Sequence, residues 1–99
     1  MLFVLICKDK PGEALARRVA TRPAHLAYLE SLGEKLRCGG AMLNDEASEP
    51  RGSLLLIEAD SLEAAKAIAA GDPYWAADVF ESVDVIPWRQ GAGVVQIKG

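Results

Sequence analysis

Two runs of this chain, Met1 to Cys7 and Leu54-Leu55-Leu56-Ile57, are apolar throughout, with no polar residue at alternate positions. Successive side chains of a strand point to opposite faces, so a strand with one wet face alternates and a strand covered on both faces does not. The first run stops at the turn cluster Lys8-Asp9-Lys10-Pro11-Gly12, and the second follows a polar loop, Asn44 to Gly52. The chain therefore needs a sheet with two interior strands, one from each run, and the other elements must flank and cover them.

Those other elements can be read from spacing and punctuation. Glu13 to Ala20 can open a helical turn, but Pro23 has no amide hydrogen and disfavours helical geometry at Arg22. The main helix is expected to begin there, with Pro23 in its first position and Thr21 or Arg22 near the cap. His25, Leu29, Leu32 and Leu36 then recur at spacings of one helical face, with Arg22 a turn earlier. Arg37 to Leu43 reads as a strand in which Gly39 and Gly40 mark a bulge or a close backbone approach. Ser53 to Ala59 is the strand containing the second apolar run. Asp60 to Ala70 is an amphipathic helix capped by Asp60 or Ser61, with Leu62, Ala65, Ile68 and Ala69 inward and Gly71 at its end. Asp72-Pro73 suits the start of one further turn. Val79 to Arg89 is the last long strand, and Val94 to Ile97 offers a small extra one.

The order β-α-β-β-α-β is the ferredoxin-like split arrangement of the α+β class: a four-stranded antiparallel sheet with two helices on one face. Its central strands are the first and third, which here are the two without alternation. Two helices leave the other face of the sheet bare. On the last strand Phe80, Ile86 and Trp88 are expected on one face and Val83 and Val85 on the opposite one, so both faces carry apolar side chains. Each large apolar side chain contributes about 1.5 to 3 kcal/mol on burial, a large share of the roughly 5 to 15 kcal/mol that holds a domain. A homodimer packed sheet on sheet through the open face is the expected answer, with Ser82 and Asp84 there requiring water or a polar partner.

Composition narrows the function. At 99 residues with no linker the chain is expected to form one domain, 1–99. A net charge of -3 and the lack of a basic stripe argue against a nucleic-acid partner, which is held by cations on phosphates. The run Leu2 to Cys7 follows no positively charged region and is too short to span a bilayer, so no membrane partner is expected and the location is read as cytoplasmic. Cys7 and Cys38 form no C-x-x-C pattern and are expected as free, buried thiols. With a single histidine and no clustered ligand spacing, neither metal nor cofactor is implied. No phosphate loop, serine-nucleophile motif or nucleotide fingerprint occurs.

The segments Arg22-Pro23-Ala24-His25-Leu26, Ser61-Leu62-Glu63-Ala64-Ala65, Asp72-Pro73-Tyr74, Val79-Phe80-Glu81-Ser82-Val83 and Ile86-Pro87-Trp88, in this order and spacing, resemble the YciI-like family. The resemblance covers nearly the whole chain. It implies a ferredoxin-like fold paired as a dimeric α+β barrel, akin to muconolactone isomerase, and a His/Asp active site that falls on His25 and Asp72. The wider superfamily includes a lyase that removes hydrogen chloride from a chlorinated hydroxyquinol, which by analogy makes small ring compounds the leading ligand class.

Each candidate residue has a second, purely structural reading. His25 either exchanges a proton with a ligand, its ring oriented by the Asp72 carboxylate, or is a helix residue packed on Leu29. Asp72 before Pro73 is a helix cap in its own right and can serve both roles. Arg22 either clamps an anionic or phenolate substrate with its planar fork or is a solvated arginine at a helix start. Tyr74 and Trp75 line the pocket or simply pack. Arg17, Arg18, Glu30, Glu34 and Lys35 read as a solvated face. The resulting expectation is a small-molecule lyase or isomerase with His25 and Asp72 as its acid-base pair and Arg22 and Tyr74 binding substrate. The alternatives are a non-catalytic ligand-binding or accessory dimer with the same pocket, and a structural module with no cleft.

Overall fold

In a computed structural model describing residues 1–99, the elements in chain order are β1 (Leu2–Asp9), α1 (Ala14–Ser31), a 3-10 turn (Gly33–Lys35), β2 (Leu36–Leu43), β3 (Pro50–Glu58), α2 (Leu62–Ala70), the single-turn α3 (Pro73–Ala76) and β4 (Phe80–Trp88). All strand pairs are antiparallel and the sheet order is β2-β3-β1-β4, the ferredoxin-like order. The two non-alternating runs are the interior strands, paired so that Leu5 faces Leu55 on one side and Val85 on the other. Phe3, Leu5, Cys7, Leu55 and Ile57 form the floor of the core, under Ala65 and Ala69 of α2 and Tyr74 of α3. Gly52 is fixed by close packing within the sheet, because a Cβ there would lie 2.3 Å from the Cys7 carbonyl oxygen.

Helix α1 does not begin at Pro23 but nine residues earlier, and it runs through the proline. An interior proline costs about 3 kcal/mol through a lost hydrogen bond and a clash with the preceding turn. Here Ala14 and Arg18 before it and His25 after it are all buried on one continuous face, and packing of that face outweighs the local preference. Pro23 itself is exposed. The helix stops at Leu32, before Gly33 with φ +57°, so Leu36 begins β2 instead of continuing the helical stripe. Ser61 caps α2 by accepting from the Ala64 amide at 3.1 Å, while Leu62, expected inward, is 37% exposed.

The face assignment on β4 needs one correction. The register with β1 slips between Lys8, opposite Ser82, and Asp9, opposite Phe80, leaving Glu81 as the extra residue of a bulge. The slip turns Phe80 to the helix side, where it joins the core beside Tyr74. The open face instead carries Leu2, Val4, Ile6, Leu54, Leu56, Ile86 and Trp88, together with Ser82 and Asp84. Leu54, Ile86 and Trp88 are 39%, 44% and 39% exposed. Residues 91–99 form no strand; they return across the end of this face, with the Ile97 amide donating to Gln90 Oε1 at 2.7 Å and Arg37 donating to the Lys98 carbonyl at 2.6 Å. Cys7 is buried as expected, whereas Cys38, on an edge strand, is exposed.

Candidate active site

On the helix side of the sheet, α1 passes over β3 and the edge strand β2, and a cleft of about 170 Å³ lies between them with α3 at its side. Its room comes from small residues: Gly39 and Ala41 of β2, opposite Leu55 and Ser53 on the helix face of the sheet, stand where larger side chains would close the gap. Arg18, Arg22 and His25 enter from α1, Ser53 from β3 and Tyr74 from α3.

His25 and Asp72, 47 residues apart in sequence, meet with Nδ1 and Oδ1 at 2.8 Å, and both side chains are buried. The same Oδ1 accepts from the Tyr74 amide at 2.9 Å, so Asp72 caps α3 and holds the imidazole at once. Its other oxygen, Oδ2, is buried without a partner. An ionised carboxylate can only accept, so this contact favours the proton on Nδ1 and leaves Nε2 with its lone pair. The loop carrying Asp72 is braced from α1 by Tyr28, whose hydroxyl donates to the Ile68 carbonyl at 2.6 Å. Gly71 permits that close approach, since a Cβ there would lie 2.5 Å from the Tyr28 hydroxyl.

Tyr74 lies flat on the imidazole, ring centroids 3.9 Å apart and 15° from parallel. On its ring sits the Arg18 guanidinium, 4.6 Å from the centroid. Arg18 is held in place by a two-pronged pair with Asp9, Nε and Nη2 each 2.8 Å from a carboxylate oxygen, and Nη2 also reaches Ser53 Oγ at 3.0 Å. Burial pulls the Arg18 guanidinium down, but the hydrogen bonds and charge of Asp9 outweigh it and hold the group above its usual value. Burial raises the Tyr74 phenol above 10.0 despite the opposing charges of Arg18 and Arg22, so it is a neutral wall of the cleft at ordinary pH.

The residues singled out from sequence are thus spatially close: His25 touches Asp72 and Tyr74, and Arg22, exposed, lines the cleft rim. Trp75 does not line it and is 46% exposed. Arg18 corrects the sequence reading. Assigned there to a solvated face, it is 5% exposed and central to the site. The signal existed, since residues 18, 22 and 25 follow helical spacing, but a helix started at Pro23 excludes it. Asp9 and Ser53 carried no signal of their own, because only the sheet register brings them under α1. A larger groove of about 690 Å³ lies around Lys8, Lys10, Glu49, Arg51 and Glu81, but it holds no histidine and its charges are of both signs. The smaller cleft is the one where buried titratable groups converge. No group of three or more His, Cys, Asp or Glu side chains is placed to hold a metal ion.

The YCII-related domain matches residues 1–89, which include every residue of this cleft. The chain belongs to the YCII-related family. Protein YciI of Escherichia coli O6:H1 is 40% identical to this YCII-related protein over 97 residues, covering 91% of this chain and 98% of the relative. An uncharacterized protein of Haemophilus influenzae is 34% identical with the same coverage. Among solved structures, 5-chloro-2-hydroxyhydroquinone dehydrochlorinase (TftG) from Burkholderia phenoliruptrix AC1100, in complex with 2,5-dihydroxybenzoquinone, superposes with a TM-score of 0.81 at 35% identity, covering 92% of this chain and 96% of that one. A NIPSNAP domain protein from Burkholderia xenovorans shares the fold alone, at TM-score 0.54 and 15% identity. No helix is long and apolar enough to cross a membrane.

Proposed function

We propose that this protein is a small-molecule lyase or isomerase in which His25 moves a proton, Asp72 orients the imidazole and stabilises its charged form, and Arg22 and Tyr74 bind the substrate. The observation that carries this reading is the buried 2.8 Å His25–Asp72 contact beside a cleft lined by cations and hydroxyls and by no carboxylate. Size favours a small ring: a cavity of about 150 Å³ holds one benzene, and this cleft is about 170 Å³. A dehydrochlorinase whose structure holds 2,5-dihydroxybenzoquinone supports a hydroxylated ring as the substrate class. The chemistry needs no cofactor. In an elimination Nε2 takes a proton from the ring hydroxyl beside the carbon that bears the leaving group and delivers it to that carbon, leaving a ketone. A second ring hydroxyl then loses its proton, and its electron pair, relayed through the ring, expels the leaving group as an anion to give a quinone. In an isomerisation Nε2 takes a proton from a carbon next to a carbonyl, leaving an enolate that faces Arg22, and returns it at another carbon.

The working unit of this proposal is a homodimer of the whole chain, 1–99, closed through the open sheet face. Support for it is the apolar patch of Leu54, Ile86 and Trp88, each more than a third exposed. The two unpaired cysteines suit the reducing cytoplasm.

The test uses 5-chloro-2-hydroxyhydroquinone as first substrate, following chloride release. His25→Ala and Asp72→Asn are each expected to lower kcat by about 10²- to 10⁴-fold. Asp72→Asn should fold normally, because Asn caps a helix as well as Asp. Full activity in His25→Ala would overturn the proposal, and a wild type that binds the ring and returns it unchanged would identify a binding protein instead.

A further inference from the structure

Ser53 is 2% exposed, lines the cleft from β3, and is assigned no part in the acid-base reading. Its Oγ accepts from Arg18 Nη2 at 3.0 Å, yet its own O–H has no acceptor in the protein. A buried hydroxyl with an unused donor is uncommon and costs about 1–3 kcal/mol when left unsatisfied. Arg18 cannot swing away to relieve it, since Asp9 grips the guanidinium at two points and Tyr74 lies against its face. A cation donating to Oγ also turns the hydroxyl proton away from itself and strengthens it as a donor. The neighbours of Ser53 on the helix face of the sheet are Cys7 and Ala41, and neither side chain is a strong acceptor. Both oxygens of Asp9 are engaged by Arg18, and Asp72 accepts nothing from Ser53: its Oδ1 is taken by His25 and the Tyr74 amide, and its Oδ2 has no partner.

We infer that Ser53 is a ligand-binding residue: its hydroxyl, polarised by the Arg18–Asp9 pair behind it, donates to an ionised or carbonyl oxygen of the ring in the cleft. This rests on the reading of the cleft as a small-ring site and adds a specificity element to it. Arg22 at the rim and Ser53 on the floor address two oxygens of one ring, so a ring with oxygens at separated positions is favoured over one with a single oxygen.

The probe is 2,5-dihydroxybenzoquinone, titrated by visible absorbance against wild type and Ser53→Ala, with the Arg18 Nε–H resonance followed by NMR in both. Binding weakened tenfold or more in Ser53→Ala, with the Arg18 resonance unmoved, is the expected result. Binding within twofold of wild type would assign Ser53 to holding Arg18 only and overturn the inference. So would a loss of binding accompanied by displacement of the Arg18 resonance, because the effect would then act through Arg18. A wild type that does not bind the probe would sink the small-ring reading itself, a different failure that the wild-type titration reveals before any variant is made.

Discussion

Arg18 shows how one buried charge ties fold and site together. Its side chain and that of Asp9 are 7% and 5% exposed, and they are joined by two hydrogen bonds. Removing one partner of such a pair leaves the other charge buried and alone, which costs roughly 3–5 kcal/mol. Arg18→Met should therefore lower the unfolding free energy by about that amount in urea titration, whereas a truly solvated arginine would change it by less than about 0.5 kcal/mol. Cys7 supplies the pH dependence. Burial first, and then the Asp72 charge against the opposing pull of Arg18, pushes its thiol from 9.0 up to about 12. Below the lower value both folded and unfolded chains hold the proton and the thiol adds no pH dependence. Between the two values the unfolded chain has lost its proton and the folded one has not, so stability falls as pH rises. Tyr28 and Tyr74, both raised by burial, act in the same direction above 10.0. Urea midpoints measured across this range should fall less steeply in Cys7→Ala than in wild type, and parallel curves would contradict the assignment.

At the scale of elements, the strands and α2 were legible in the sequence because their signals are local. Interior strands announce themselves by the lack of alternation, and Ser61 and Asp72 are caps that act within three residues of themselves. Two features were not legible, for two different reasons. The start of α1 fails because Pro23 sends a strong local signal that a longer buried face overrides, and that face includes Arg18 and Ala14 only once the sheet is in place. The orientation of Phe80 fails because a single bulged residue, Glu81, inverts the facing of everything before it on β4, and nothing in Val79-Phe80-Glu81-Ser82 marks which residue will bulge. The consequence for the site is uneven. His25, Asp72, Arg22 and Tyr74 stand on motifs that can be read in order, whereas Arg18, Asp9 and Ser53 become neighbours only through helix continuity and strand register.

The molecule as a whole leaves one sheet face apolar and bare at Leu54, Ile86 and Trp88, and the proposed dimer is the way to cover it. Ile86 stands on that face on the edge strand β4, 44% exposed and opposite Val4 of β1. Light scattering on the purified protein should give twice the 10.6 kDa protomer mass, and Ile86→Asp should shift it to the monomer while leaving the helix-side core folded. A wild-type monomer at micromolar concentration would refute the dimer. The fold brings together His25 and Asp72 from opposite halves of the chain, and in the proposed mechanism the carboxylate fixes the ring and leaves its other nitrogen as the base. With one histidine in the chain, the ¹⁵N chemical shifts of its two ring nitrogens, measured with the imidazole neutral, report this directly. The 2.8 Å contact with the carboxylate predicts a protonated Nδ1 and an unprotonated Nε2, with that preference lost in Asp72→Asn. A proton found on Nε2, or a tautomer mixture like that of free histidine and unchanged by Asp72→Asn, would contradict it.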